Sequence, residues 1–314
     1  MNKSIPTIVL CICTYRRPDG LRKLLESLPE LDAGDGQRYA DQLQIVVADN
    51  DAAREGLAVC ESLPATYPFK LHTVSATEPG ISAARNAATS AALALKPDLI
   101  AFLDDDEWPE PQWLAELIRI QTRCNADVVG GPTRPVFPAN TPQDLLNNPY
   151  YGADMGLPDA TGCTLQAGGN FLIRADVIEP LAPDFFHPAF AHSGGEDLAF
   201  FLQLQQLNRS MFWAANAIVH EPVPEARLHD GWMRSRIVNI HNARVRVMQL
   251  LQPELKHSIV RCLKTVVLGI VAGALSAVAW VSPALTEKAR LLRWKFSGKL
   301  SAHLGRVTVR SETY

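Results

Sequence analysis

Residues 99–107 read LIAFLDDDE, five apolar residues followed without a break by four acids. A short apolar run bounded so sharply reads as a strand buried on both faces, the kind that sits inside a parallel sheet. At its carboxyl end Asp104, Asp105, Asp106 and Glu107 repel one another unless a cation compensates them. Alternation along a strand would turn Asp104 and Asp106 to one side and Asp105 away. A hard divalent ion, Mg or Mn, takes oxygen ligands of this type and keeps positions open for substrate. The plainer alternative is a solvated acidic turn capping a helix at 109–119.

Upstream the same grammar repeats. Residues 7–13, 43–48 and 71–74 are further buried-strand runs, and residues 20–28, 54–63 and 82–95 between them carry helical periodicity, the last rich in alanine. Such alternation predicts an α/β fold, a mixed but mostly parallel sheet flanked by helices, with ligands at the carboxyl ends of the strands. Downstream, residues 132–158 are rich in Pro, Asn, Asp and Gly and read as a long irregular excursion. Order returns at 164–174, with amphipathic helices at 197–207 and around 232–251.

Three further clusters fall just past predicted elements. In GISAARN (80–86), Ser82 reads as an N-cap, with Arg85 and Asn86 one turn in, where a helix start favours anions; a surface arginine is the alternative. Gly194-Gly195-Glu196-Asp197 opens a helix whose dipole favours ionised carboxylates, as a waiting base requires, though simple capping explains such acids too. His220 follows the strand-like residues 217–219 and reads either as a metal ligand or as a satisfied loop histidine. No G-x-S-x-G, Walker A or Rossmann glycine motif stands at a strand–helix junction.

The 314 residues, 47% hydrophobic and 20% charged, suit one full-sized core with an appendage rather than two equal domains. A net charge of −3 gives no reason to expect nucleic acid as a partner. The six cysteines show no metal-like spacing and suit a reducing compartment, with Cys11 and Cys13 as small buried hydrophobes. The apolar run at 8–13 is too short for a secretory signal, which predicts a cytoplasmic catalytic part. Residues 265–286 carry no charge and are long enough to span a bilayer. Lys256, Arg261 and Lys264 precede them, and Lys288, Arg290, Arg293, Lys295, Lys299, Arg306 and Arg310 follow against only Glu287 and Glu312. Positive charge on both sides favours a helix lying in or dipping into the cytoplasmic leaflet over a single crossing. A buried core helix or a partner interface is the alternative.

Six motifs in order, CTYRRP (13–18), VVADND (46–51), GISAARN (80–86), FLDDDE (102–107), GGEDLAFF (194–201) and VHEPVPEAR (219–227), resemble the family-2 inverting glycosyltransferases, among them those of succinoglycan assembly. The resemblance covers residues 8–240. It implies a GT-A fold, with Thr14, Tyr15 and Arg16 bordering the nucleobase and Asp49 bonding a uracil edge. It places Arg85 against that pocket or the diphosphate, Asp104 at the ribose or a metal-bound water, and Asp106 on the metal with His220 assisting. Asp197 would be the general base beside Glu196, Gly169 and Asn170 would line the acceptor side, and Arg236 would close over the leaving group. The glycine that often follows that arginine is replaced here by Ile240 and His241. Partners so implied are a UDP-sugar donor, a saccharide acceptor for which the apolar tail favours a polyprenyl-diphosphate link, and the membrane surface on the cytoplasmic side of a bacterial inner membrane. The division expected is a catalytic unit at 1–228, a helical closure segment at 229–256 and a membrane-associating region at 257–314. A sugar nucleotidyltransferase, whose phosphate loop only Arg16-Arg17 hints at, and a catalytically silent nucleotide-sugar-binding scaffold are the rival readings.

Overall fold

A computed structural model of the chain describes residues 6–33, 39 and 42–308; Arg310 and Glu312 of the basic tail lie outside them. The amino-terminal half alternates as expected: β1 (Ile8–Thr14), α1 (Pro18–Ser27), β2 (Leu43–Asp49), α2 (Glu55–Glu61), β3 (Lys70–Ser75), α3 (Ile81–Ala94) and β4 (Leu99–Asp104). Shorter elements follow: β5 (Trp108–Pro109), α4 (Trp113–Cys124), β6 (Val128–Gly130), β7 (Thr133–Val136), α5 (Gln143–Leu146), β8 (Thr161–Gly162), β9 (Asn170–Arg174) and α6 (Ala175–Ile178). The remainder is α7 (Glu196–Gln206), β10 (Met211–Trp213), β11 (Val219–Pro222), α8 (Asp230–Leu251), α9 (Leu255–Val278) and α10 (Pro283–His303).

Eight strands form one sheet in the order β3-β2-β1-β4-β9-β6-β10-β8, and β5-β11-β7 form a second. The first four are parallel neighbours, whereas β9 runs antiparallel to both β4 and β6, so the sheet is mixed. The register pairs Thr14 with Asp49 and Cys13 with Asp104, which sets three of the predicted site residues side by side at the carboxyl edge. Period-two alternation divides the core. Ile8, Leu10 and Ile12 pack with Leu21, Leu24 and Trp113 on one face, while Val9 and Cys11 meet Ala88, Phe200 and Phe201 on the other.

Local departures from the sequence reading have local causes. Gly80, not Ser82, is the N-cap of α3; its φ is +114°, and an added Cβ would stand 2.7 Å from the Ala191 carbonyl oxygen, so a side chain has no room. Ser82 lies inside the first turn and donates to the His187 carbonyl (3.1 Å). The helix expected at 109–119 begins only at Trp113, because residues 108–109 pair with β11 as β5. The acid run therefore does not cap it. The excursion at 132–158 holds β7 and α5.

The apolar run at 265–286 is not one straight element. Pro283 lacks the N–H a continuing helix needs, and Ser282 Oγ instead accepts the Leu285 N–H (3.4 Å) to start α10. Helices α9 and α10 make a hairpin whose second arm packs along α8. Helices α10 and α8 come close at Gly298, where a Cβ would lie 2.4 Å from the Val238 carbonyl oxygen. Asn242 Nδ2 ties the seam by donating to Ser301 Oγ and the Arg306 carbonyl, both at 2.9 Å. The outer side of α9 leaves Val266, Val267 and Ile270 more than half exposed, and Trp280 just beyond is 86% exposed. Leu255–Val281 is the one helical stretch among the described residues long and apolar enough to cross a membrane.

Candidate active site

At the carboxyl ends of β1 and β2, Asp49 is buried and accepts the Asp51 and Leu57 N–H groups (2.9 and 3.1 Å). Gly56 of α2 lets it sit there, since a Cβ at that position would be 2.4 Å from Thr14 Cγ2 and 2.9 Å from Asp49 Oδ2. Thr14 Oγ1 donates to Asp105 Oδ2 (2.7 Å). The Arg16 guanidinium lies 5.0 Å from the Tyr15 ring centroid and 3.5 Å from Asp51. Thr14, Tyr15, Arg16 and Asp49 thus gather at one end of the sheet.

Strand pairing stops at Asp104, so alternation does not govern the acids after it and the expected shared face of Asp104 and Asp106 is not realised. Asp104 meets Arg85 Nη2 at 3.1 Å. Asp105 is buried against Thr14 and Arg17. Asp106 is gripped by Arg17 (2.8 Å) and by Arg227 (3.6 Å). Glu107 is buried and accepts the Asp104 N–H (3.2 Å) and Thr133 Oγ1–H (3.3 Å). Burial, moderated by Arg17 and reinforced by Asp106, pushes the Asp105 carboxyl up to about 7. Burial and then Asp104, Glu221 and Asp106 hold Glu107 well above the usual carboxylate range, and burial with Asp106 raises Glu221.

Beside this turn opens a cavity of about 640 Å³, a volume suited to a small ligand. Asp104, Arg85, Glu196, Asp197 and Arg236 all line it. Arg85 is its central fitting. Its Nη1 donates to the Gly168 carbonyl (3.0 Å), its Nη2 meets Asp104, and its Nε lies 3.8 Å from Glu196 Oε1. Burial alone would weaken its hold on a proton, but Asp104, Glu196 and Asp197 overcome that and raise it. Glu196 and Asp197 open α7 directly after Gly194 and Gly195, whose φ of +72° and +94° aim the helix start at the cavity wall. Gly168 and Gly169 lie against it closely: a Cβ on the first would be 2.1 Å from Arg85 Nη1, and on the second 2.7 Å from Glu107 Oε1.

Other predicted site residues have partners of their own within the protein. The Asn170 side chain accepts from Trp113 Nε1 (2.8 Å) and donates to the Pro132 and Ala217 carbonyls (3.1 and 2.9 Å), so its amide is engaged by the protein itself. Arg236 Nε donates to the Tyr150 carbonyl (2.7 Å) with its guanidinium 5.3 Å above Trp232. His220 lies outside the cavity lining. Antiparallel pairing with Trp108 stacks the two rings 5.6 Å apart and leaves Nε2 3.0 Å from Glu110, so no contact joins His220 to Asp106. Among the described residues no three His, Cys, Asp or Glu side chains converge as a complete ligand set.

The donors nevertheless fit a hard divalent cation completed by substrate oxygens. Asp104, Asp105, Asp106, Glu107 and Glu221 outnumber Arg17, Arg85 and Arg227 around the turn and all offer oxygen; burial first, and neighbouring carboxylates after it, raise three of them. The sequence alone assigns no site role to Arg17, Glu221 and Arg227, and takes Glu107 only as one member of the acid run. Arg17 and Arg227 stood within quoted motifs, and the signal for them was the acid run itself, which needs buried cations.

The sequence matches the family described as Glycosyl transferase family 2 over residues 9–181. It is 32% identical over 227 residues, 72% of this chain and 70% of the other, to the succinoglycan biosynthesis protein ExoM of Rhizobium meliloti. Among solved structures, the mannosyltransferase PcManGT from Pyrobaculum calidifontis, in complex with GDP-Man and Mn2+, superposes with a TM-score of 0.67 at 16% identity, covering 96% of this chain and 88% of that one. S. aureus TarS 1-349 in complex with UDP-GlcNAc gives a TM-score of 0.50 at 14% identity, with 96% and 92% covered. Likeness at these identities speaks for the fold alone, which is of the GT-A type.

Proposed function

This chain belongs to glycosyl transferase family 2, and on that premise we propose that it transfers a hexose, glucose first among them, from a UDP-sugar to a saccharide acceptor with inversion, in exopolysaccharide or other surface-glycan assembly. The observation that carries the reading is Arg85, whose single guanidinium meets Asp104 at the end of β4 on one side and Glu196 at the start of α7 on the other, on the wall of one cavity. The relative's part in succinoglycan biosynthesis supports the pathway class.

The chemistry is one displacement. The acceptor oxygen bonds to the anomeric carbon from the face opposite the nucleotide, the bond from that carbon to the diphosphate oxygen breaks, and its electron pair leaves with UDP. Asp197 takes the hydroxyl proton as the new bond forms, a task suited to an ionised carboxylate at a helix start. Glu196 and Asp104 hold Arg85 in place, and Arg85 faces the negative charge that gathers on the leaving group. A divalent cation, Mg or Mn, held by Asp106 would add Lewis-acid neutralisation of the same charge. Thr14, Tyr15, Arg16 and Asp49 take the nucleoside, Gly169 and the Asn170 backbone border the acceptor, and Arg236 closes the far side. Residues 1–228 act as the catalytic unit, 229–256 as its closure and 257–314 as the part that meets the cytoplasmic side of the inner membrane, peripherally or monotopically. The exposed apolar side of α9 supports that placement, and with it a polyprenyl-diphosphate-linked acceptor.

A panel of nucleotide sugars, with and without Mn2+, tests the donor by thermal stabilisation and by release of nucleoside diphosphate. UDP-glucose is expected to raise the unfolding midpoint in a metal-dependent way. Asp197→Asn should keep that shift while transfer falls by about 10²–10⁴-fold. Near wild-type turnover in this variant would remove Asp197 as the base.

A further inference from the structure

At the crossing of α8 and α10 the chain gathers positive charge that it does not balance. Lys295 and Lys299 are four residues apart and share a side of α10, flanking Gly298, where the two helices touch. A Cβ at Gly298 would lie 3.1 Å from His241 Cβ, so the side of α8 carrying His241 and Arg244 meets them. Lys264 of α9 completes the group and is close enough for its charge to act on Lys299. Among the described residues no carboxylate lies within ion-pair distance of any of these four cations. The contrast on the same helix is Arg290, which pairs with Asp230 and Glu287.

The repulsion is visible in the group's chemistry. Burial, and then Arg244, Lys295 and Lys264, lower the proton affinity of Lys299. The ring nitrogens of His241 are buried and make no hydrogen bond with the described residues. Like charges held together without counter-ions are costly, and an arriving polyanion relieves that cost.

Position narrows the polyanion. Arg244 lines the reaction cavity, its Nη1 3.3 Å from Gln166 Oε1, and Lys295 Nζ lies 5.9 Å from the ring of Tyr150, another lining residue. On the opposite side Lys264 belongs to α9, whose Val266, Val267 and Ile270 face outward. The cations thus stand between a cavity sized for a saccharide and a helix suited to lipid. We infer that Arg244, Lys295, Lys299 and Lys264 form a binding site for the phosphoryl headgroup of a membrane lipid, placed so that a saccharide carried on a lipid diphosphate enters the cavity. The site rests on the proposed transfer to a lipid-linked acceptor and names the residues that would hold its diphosphate.

The test is flotation of the full chain with three vesicle sets: neutral phosphatidylcholine, the same doped with a polyprenyl diphosphate, and the same doped with phosphatidylglycerol to equal surface charge. Doped vesicles should bind about ten- to thirtyfold more tightly than neutral ones. Lys295→Gln/Lys299→Gln should abolish that gain with an unchanged unfolding midpoint, Lys295→Arg/Lys299→Arg should retain it, and Lys23→Gln/Lys70→Gln, with the same change in net charge at a distance, should retain it too. A gain confined to the diphosphate set identifies the acceptor lipid, and one equal with phosphatidylglycerol identifies bulk lipid; either supports the site if the glutamine pair loses it. Binding unchanged by the glutamine pair, or lost equally in the distant pair, overturns it. Stabilisation by UDP-glucose, measured on the same preparations, reports on the transferase reading separately and should be the same in all variants.

Discussion

Asn170 illustrates how a residue can stand in the right motif and do different work. Its amide joins β9 to Trp113 of α4 and to the carbonyls of Pro132 and Ala217, three elements the sequence separates widely. Asn170→Ala leaves a buried indole N–H and two buried carbonyls without that partner, so unfolding in urea should show a loss of about 2–4 kcal/mol. Donor-dependent stabilisation should survive in the folded fraction, because the amide is committed to protein partners. Asp104, Arg85, Glu196 and Asp197 were legible in the sequence because an acid run at a strand end and charged residues at a helix start are local signatures. Arg17 and Arg227 were not. Arg17 meets Asp105 and Asp106 across 88 and 89 residues, and Arg227 meets Asp106 across 121, contacts that only the completed sheet creates.

At the scale of elements, the seam between α8 and α10 carries a titratable group. Burial, then Lys299, Lys295 and Arg244, push His241 down from its ordinary 6.5 to about 4. The folded chain therefore keeps the ring neutral where the unfolded chain protonates it. Its contribution is whole above about pH 6.5 and is lost as pH falls toward 4. Urea midpoints for the native chain should drop more steeply across that window than those for His241→Gln, and parallel curves would show that the ring does not sense the cations. The parallel strands could be read in advance because buried apolar runs have sharp edges. The start of α4 could not, since β5 takes residues 108–109 through pairing with a strand 110 residues downstream. The break between α9 and α10 had a local sign in Pro283, but the folding back of α10 onto α8 depends on the close approach at Gly298, which no periodicity announces.

For the whole molecule, α8 is the element that two regions share. One side contributes Arg236, Asn239, Ala243 and Arg244 to the cavity. Elsewhere on it, buried Met233 and Ile237 pack with Tyr151 and Val223 under Leu291 and Trp294 of α10. Composition reveals an apolar run between basic flanks, but not that Leu291 and Trp294, in the basic stretch after it, back α8. A chain ended at residue 256 should bind the dye ANS and lose transfer even to a water-soluble acceptor, whereas wild-type turnover in that shortened form would show the hairpin to be dispensable. The same arrangement bears on laboratory handling. Trimming the greasy carboxyl-terminal arm is the usual remedy for a protein that resists purification, but here it would uncover a second sticky surface at Met233 and Ile237. Mild detergents or nanodiscs around the intact polypeptide are the better route to a tractable sample.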